Sequence, residues 1–489
     1  MRVPLDYDRP QGKTIKVSVI RLPAAAPQRR LGALFLNPGG PGGSGVDIAR
    51  GLGAFLPLEL RERFDIVGID PRGISRSTPL RCYRTFDEAS QDVPPFEYPH
   101  TRRQENRQIE ADRALAGACR QNAGPVLRHM STADVARDMD AVRAAMGDPQ
   151  LNFLGLSYGS QLGQTFANMF PARVRSMVID GVIDPRAWAG TVAGGDRVPV
   201  GTRLASAQGA QRTLQAFFRR CDAAGRDCAF SGNSRQRFAR LVRAAENGDI
   251  PRVRVNGLIS ITLGALYASW VWPDLATFLR AIERGAPQAP VERTRTALRS
   301  ALGLAAAQQE EYLNVIEGFP GVTCSDGDNP DGYRAYRNAA DRAEQEYGYF
   351  GRLWNWAGSV CAEWPKLAGR DRYTGPWTAA TPHPVLVVGN YFDPATRYKG
   401  AVTASRLLPN SRLLSYAGWG HTAFFAGNYC IDAAVTRYLV TTRPPAEGSV
   451  CQPAGSPFGP AAARAATPGA KLAIAALLPA AVRQAMMPR

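Results

Sequence analysis

The stretch Gly155-Leu156-Ser157-Tyr158-Gly159 places a serine between two glycines where an apolar run changes to a helix-like one. Leu151-Asn152-Phe153-Leu154 precedes it and Ser160-Gln161-Leu162 follows. A strand-to-helix turn this tight holds its serine in a strained backbone region, and side chains two positions to either side would collide. In return the hydroxyl stands clear of the sheet at the positive end of a helix, as a nucleophile must. A serine hydroxyl attacks poorly until a base removes its proton.

Four histidines are available as that base: His100, His129, His383 and His421. His100 lies in a polar, proline-containing stretch and His129 just ahead of a helix start, so both read as surface residues. His383 sits between prolines at the entrance to the apolar run Val385-Leu386-Val387-Val388. His421 ends the glycine-rich loop Ala417-Gly418-Trp419-Gly420-His421. Loops at the carboxyl ends of parallel strands are where α/β sheets hold reactive groups, which makes His421 the expected base.

An acid should then hold the imidazole in the correct tautomer. Asp393 follows the 385–388 run in Gly389-Asn390-Tyr391-Phe392-Asp393-Pro394, giving the chain order Ser, Asp, His. Asp180 and Asp184, after the strand-like Val178-Ile179, are its rivals. Turn chemistry is their plainer explanation, since Asp-Gly and Asp-Pro are common turn formers. A fourth component is an oxyanion hole. The buried run Leu34-Phe35-Leu36 leads into Asn37-Pro38-Gly39-Gly40-Pro41-Gly42-Gly43-Ser44-Gly45, whose glycines let backbone N–H groups approach a substrate. The usual second donor is the N–H after the nucleophile, here Tyr158, and one such donor lowers a barrier by about 3–4 kcal/mol. A phosphate loop is the alternative, but the Lys-Ser/Thr ending is missing.

Taken together, these segments resemble the secreted tripeptidyl aminopeptidase branch of the proline-iminopeptidase-like serine peptidases of actinobacteria. Further matching pieces are Val3-Pro4-Leu5-Asp6-Tyr7, Phe64-Asp65-Ile66-Val67-Gly68-Ile69-Asp70-Pro71-Arg72-Gly73 and Val178-Ile179-Asp180-Gly181-Val182. The likeness runs from about residue 2 to 451 and is least specific in the middle third. It implies an α/β-hydrolase core and release of di- or tripeptides from free amino termini. By this likeness Ser157 is the nucleophile, His421 the base and Asp393 its orienter, with Gly40 and Tyr158 as oxyanion donors. The same machinery on esters, thioesters or small amides is the alternative, because cap and pocket select the substrate. An aminopeptidase also needs a carboxylate for the substrate ammonium. Cys324-Ser325-Asp326-Gly327-Asp328 offers Asp326 first, and Cys361-Ala362-Glu363 offers Glu363.

The elements that must position these groups read as an α/β chain with a mostly parallel sheet. Strands are expected at residues 16–21, 31–36, 64–69, 151–154 and 174–179, and a helix capped by Ser131 running to Gly147. From Trp188 the pattern becomes helical, and the strand rhythm resumes at Pro384. The expected division is a first core part at 1–187 and a helical cap at 188–380, inserted after the sixth strand of the α/β-hydrolase fold. A second core part carrying acid and base follows at 381–452, then a flexible tail at 453–489, Ala/Pro/Gly-rich over 453–469 and able to form a short amphipathic helix over 471–487.

A length of 489 residues exceeds what one core serves. No apolar stretch approaches the ~20 residues of a membrane-spanning helix. The formal charge of +17 comes from dispersed arginines without interleaved aromatics, which argues against a nucleic-acid partner and leaves weak attraction to acidic envelope polymers. Peptides with free amino termini are the expected partners. Cys82, Cys119, Cys221, Cys228, Cys324, Cys361, Cys430 and Cys451 form an even set without a C-x-x-C metal pattern. Four disulfides and neither metal nor cofactor are therefore expected, in a secreted or envelope protein. Met1-Arg2-Val3-Pro4 shows no apolar export segment, so the signal is expected to be missing from this sequence.

Overall fold

The computed structural model describes residues 1–93, 98–251, 253–285, 288–302, 314–366, 368–459 and 467–478. Ten strands are found among them: β1 (Arg2–Pro4), β2 (Thr14–Lys16), β3 (Val19–Leu22), β4 (Gly32–Asn37), β5 (Phe64–Ile69), β6 (Leu151–Leu156), β7 (Val174–Asp180), β8 (Val385–Phe392), β9 (Ser411–Trp419) and β10 (Val450–Cys451). Strands β1 and β2 form a separate antiparallel pair. The other eight make one sheet in the order β10-β9-β8-β7-β6-β4-β5-β3, parallel throughout except for β3 against β5.

Every residue of β4, β5 and β6 is buried, which is why these segments lack polar alternation. Successive side chains still feed opposite faces. Leu34, Leu36, Ile66, Leu154 and Leu156 join the core on one side, and Ala33, Phe35, Val67, Phe153 and Ile179 join that on the other. The helix Thr132–Ala145 closes the second core with Val135, Met139 and Val142, and Ser131 caps it by accepting the Asp134 N–H at 3.2 Å. Because β4, β6, β7, β8 and β9 run parallel side by side, their carboxyl ends share one rim.

The single early strand expected at 16–21 is two strands. Val17 and Ser18 separate them by donating to Met1 O and Ser77 Oγ, each at 2.8 Å. The helical insertion follows β7, which is seventh in the chain and fifth among the strands of the large sheet. Its helices include Ser206–Ala224, Ser234–Asn247, Val255–Leu266, Trp272–Glu283, Val315–Asp326 and Tyr333–Tyr347. Part of the tail expected at 453–489 is helical. Residues Pro468–Leu477 form a helix, capped by Thr467, that buries Ala470, Ala473, Ile474 and Leu477. A short apolar helix is stable only against a partner surface, and the surface beside Gly45–Leu52 is invisible in the tail's own composition. Residues 460–466 and 479–489 lie outside the described residues.

All eight cysteines are bonded, as Cys82–Cys119, Cys221–Cys228, Cys324–Cys361 and Cys430–Cys451. Cap and core also meet through a buried acid. Asp112, in the helix Arg102–Asn122, accepts from Gln108 Nε2 at 2.8 Å and from Ser359 Oγ of the cap at 2.6 Å. Burial pushes its carboxyl up to about 7, against about 3.9 in an unfolded chain. The folded state therefore holds this proton more tightly. The stability it contributes is complete below pH ~4 and is lost as pH rises through about 7. The Tm difference between Asp112→Asn and wild type should accordingly move in the variant's favour from pH 4 to pH 8. A difference that stays constant across that range would contradict this account.

Candidate active site

The elbow begins with steric necessity. Ser157 has φ 57° and ψ −122° and immediately precedes the helix Tyr158–Met169. A Cβ at Gly155 would lie 2.3 Å from Gly159 O, and a Cβ at Gly159 would lie 2.8 Å from Asn37 O. Both positions thus require glycine. The glycine loop after β4 is seated just as tightly. A Cβ at Gly39 would approach Leu156 O to 2.4 Å and Tyr158 N to 2.8 Å. The Gly39 N–H is taken by Asn37 Oδ1 at 2.9 Å and the Gly43 N–H by Gly39 O at 3.0 Å. The next residue, Gly40, also has positive φ, at 111°. Across the loop, the first N–H groups of the helix starting at Tyr158 have no acceptor within the helix.

Asp393 and His421 meet on the same rim. His421 Nδ1 lies 3.0 Å from each carboxylate oxygen of Asp393. The carboxylate is itself held by the N–H groups of Ala395 and Thr396, both at 2.8 Å, and by Thr396 Oγ1 at 2.9 Å. His421 Nε2 is buried and makes no hydrogen bond. Backbone packing places this ring beside the elbow: Ser157 N donates to Asp180 O at 2.8 Å, and a Cβ on the next residue, Gly181, would lie 3.1 Å from His421 Cε1. The Nε2 edge of the imidazole is therefore left unbonded beside the elbow.

The loop carrying His421 is held by groups that no short motif announces. Asn390 Nδ2 donates to Gly420 O at 2.8 Å and Thr422 O at 2.9 Å. The His421 N–H donates to Tyr267 O of the cap at 2.9 Å, and the Tyr267 ring packs edge-on against the imidazole at 5.0 Å. Asp180, the rival acid, accepts the N–H groups of Ala423 and Phe424, each at 2.8 Å, and burial pushes its carboxyl up to about 7. It anchors the loop. Asp184 caps the helix Pro185–Ala189 by accepting the Arg186 and Ala187 N–H groups.

The cap roofs this rim. Its helix Val315–Asp326 crosses the glycine loop so closely that a Cβ on Gly42 would lie 3.3 Å from Gly318 C and Phe319 N. Neither proposed ammonium anchor is presented openly here. Asp326 is buried, accepting the Thr132 N–H at 2.7 Å, Trp188 Nε1–H at 2.8 Å and the Thr132 hydroxyl. Glu363 pairs with Arg113 at 3.1 Å, and its carbonyl takes Arg120, which turns it toward the helix Arg102–Asn122. Sequence distance concealed the first of these arrangements, since Thr132 and Asp326 are 194 positions apart. His100 and His129 are half-buried rather than on the surface. Among the described residues, Asp6, His129 and Asp371 have ligand atoms within 4.8 Å of one another, a grouping that could hold a metal ion.

Residues 346–451, which contain Asp393 and His421, match the family model for TAP-like α/β-hydrolase proteins. The chain is 31% identical over 477 residues to serine protease Hip1 of Mycobacterium tuberculosis, covering 92% of this chain and 86% of that protein. The chain belongs to the TAP-like family. Over 465 residues it is 30% identical to a tripeptidyl aminopeptidase of Streptomyces lividans, spanning 93% of this chain and 83% of that one. Over 479 residues it is 34% identical to carboxylesterase B of M. tuberculosis, spanning 92% and 85%. This TAP-like protein is thus a serine hydrolase of the α/β type. The Gly155–Gly159 elbow lies outside the matched segment, and the parallel sheet joins the two.

Proposed function

We propose that this TAP-like hydrolase is a secreted or envelope exopeptidase that releases di- or tripeptides from free amino termini. Ser157 Oγ attacks the scissile carbonyl while His421 Nε2 takes its proton. Asp393 keeps the Nδ1–H tautomer and stabilises the imidazolium. The negative oxygen of the tetrahedral intermediate accepts from the Gly40 and Tyr158 N–H groups. Collapse breaks the C–N bond, the leaving amine takes the proton from His421, and water repeats the sequence to release the acyl peptide.

The observation that carries this reading is the imidazole, committed at Nδ1 to Asp393 and unbonded at Nε2 beside the elbow. The helical roof over the glycine loop supports access by chain ends rather than by folded segments. Disulfides persist mainly outside reducing compartments, which supports export. The likeness to carboxylesterase B favours the second reading, an esterase with the same machinery. Turnover of a tripeptide-coupled dye, its amino-blocked form and a simple acyl ester separates the two. We expect the free-amine peptide to be cleaved and the blocked peptide to be at least about tenfold slower, the discount for a lost charge-assisted contact. Equal rates on both peptides, with the ester fastest, would establish the esterase instead.

A further inference from the structure

Asp326 ends a cap helix, yet its carboxylate is committed to the core. Oδ1 accepts the Thr132 N–H, and Oδ2 accepts Trp188 Nε1–H and the Thr132 hydroxyl. A threonine hydroxyl carries one proton. With that proton directed to Asp326, Thr132 Oγ1 is the acceptor in its bond to Tyr158, so the phenol donates. Burial raises the Tyr158 phenol well above its usual 10, which keeps it a donor at any working pH. The outcome is a buried chain of donors running from Tyr158 through Thr132 to a carboxylate, the strongest kind of acceptor.

The surroundings allow this chain little freedom. The Trp188 ring packs on the Tyr158 ring at 5.5 Å between centroids. A Cβ on Gly327 would lie 2.4 Å from Trp188 O, and a Cβ on Gly369 would lie 1.7 Å from Ser325 O. Two residues before Asp326, Cys324 is bonded to Cys361. Tyr158 in turn is the residue after Ser157, so whatever fixes its backbone also aims the adjacent N–H.

We propose that Asp326 is a positioning residue for acyl transfer, holding Tyr158 through Thr132 so that the cap and the oxyanion hole keep one alignment. The inference rests on the reading of Ser157 as nucleophile. It also separates two roles for Asp326 that predict different kinetics. An ammonium anchor affects only substrates with a free amine. A positioning residue affects every acyl substrate, in kcat rather than KM.

The test is to measure kcat and KM for wild type, Asp326→Asn, Tyr158→Phe and the double variant, each on a free-amine tripeptide dye and on an acyl ester. Misplacing a reacting or stabilising group by about 1 Å costs up to ~100-fold. Each single variant should therefore lose about 10- to 100-fold in kcat on both substrates, with KM within about twofold. The double variant should be no slower than the worse single, because both break one chain. A loss confined to the free-amine peptide and seen in KM would restore the anchor role and overturn the proposal. So would multiplicative losses in the double variant, or wild-type rates for Tyr158→Phe. Should Asp326→Asn fail to fold, Tyr158→Phe and Thr132→Val carry the same test. Fluorophosphonate labelling of wild type but not Ser157→Ala keeps the two levels apart. An unlabelled wild type defeats the hydrolase reading, whereas normal labelling with unaffected variants defeats only the positioning role.

Discussion

Replacing Ser157 with alanine should lower kcat by on the order of 10⁵–10⁶ on peptide and ester alike. The change removes the hydroxyl proposed to form the acyl bond while disturbing little else. Ser157 already adopts φ 57°, so alanine inherits the same backbone strain and adds no new clash. Its N–H bond to Asp180 O and the glycine contacts on either side are backbone features and persist. The Tm should therefore stay within about 2 °C, the shift expected of a change of a few tenths of a kcal/mol. His421→Ala should cost a similar factor, and the double variant almost nothing more, since the pair acts as a unit. Single-turnover rates and fluorophosphonate labelling check this. Substantial turnover by Ser157→Ala would move the nucleophile elsewhere and remove the basis for the mechanism.

Asp393→Asn should reduce kcat by about 10⁴, because an asparagine amide favours the wrong imidazole tautomer. The geometry that makes the effect large is the pair of 3.0 Å approaches from His421 Nδ1 to the two carboxylate oxygens. Asp180→Asn makes the informative contrast. Its carboxylate meets the Ala423 and Phe424 N–H groups, not the ring, and one amide oxygen can still accept from a backbone donor. Its loss should stay near tenfold, the scale of a misaimed rather than missing group. If Asp180→Asn proves the more damaging of the two, the acid has been misassigned.

Much of the site was legible because its causes are local. Glycines at 155 and 159 are required by contacts within the elbow and with the neighbouring strand, so five residues disclose the turn. The buried runs at β4, β5, β6 and β8 show where parallel strands end, and Asp393 sits just past the end of β8. Asp180 was read as a possible acid or a turn former, yet it turned out to hold a loop 244 positions away. Asn390 gave no signal, since its value lies in two carbonyls 30 and 32 positions on. Asp326 was read as a carboxylate for the substrate ammonium, whereas its actual partner Thr132 lies across the cap boundary.

By itself, then, the chain's order of residues determined the turn around Ser157, the glycine-lined approach to it and the succession of candidate groups along the sheet. Those follow from steric rules acting over a few residues and from strands whose burial is written in their composition. Only the tertiary structure decided which carboxylate faces the imidazole, which one secures its loop and which one is tied through Thr132 to the Tyr158 hydroxyl. All three are aspartates, and an aspartate's task depends on the donors that converge on it from distant segments, which folding alone brings together.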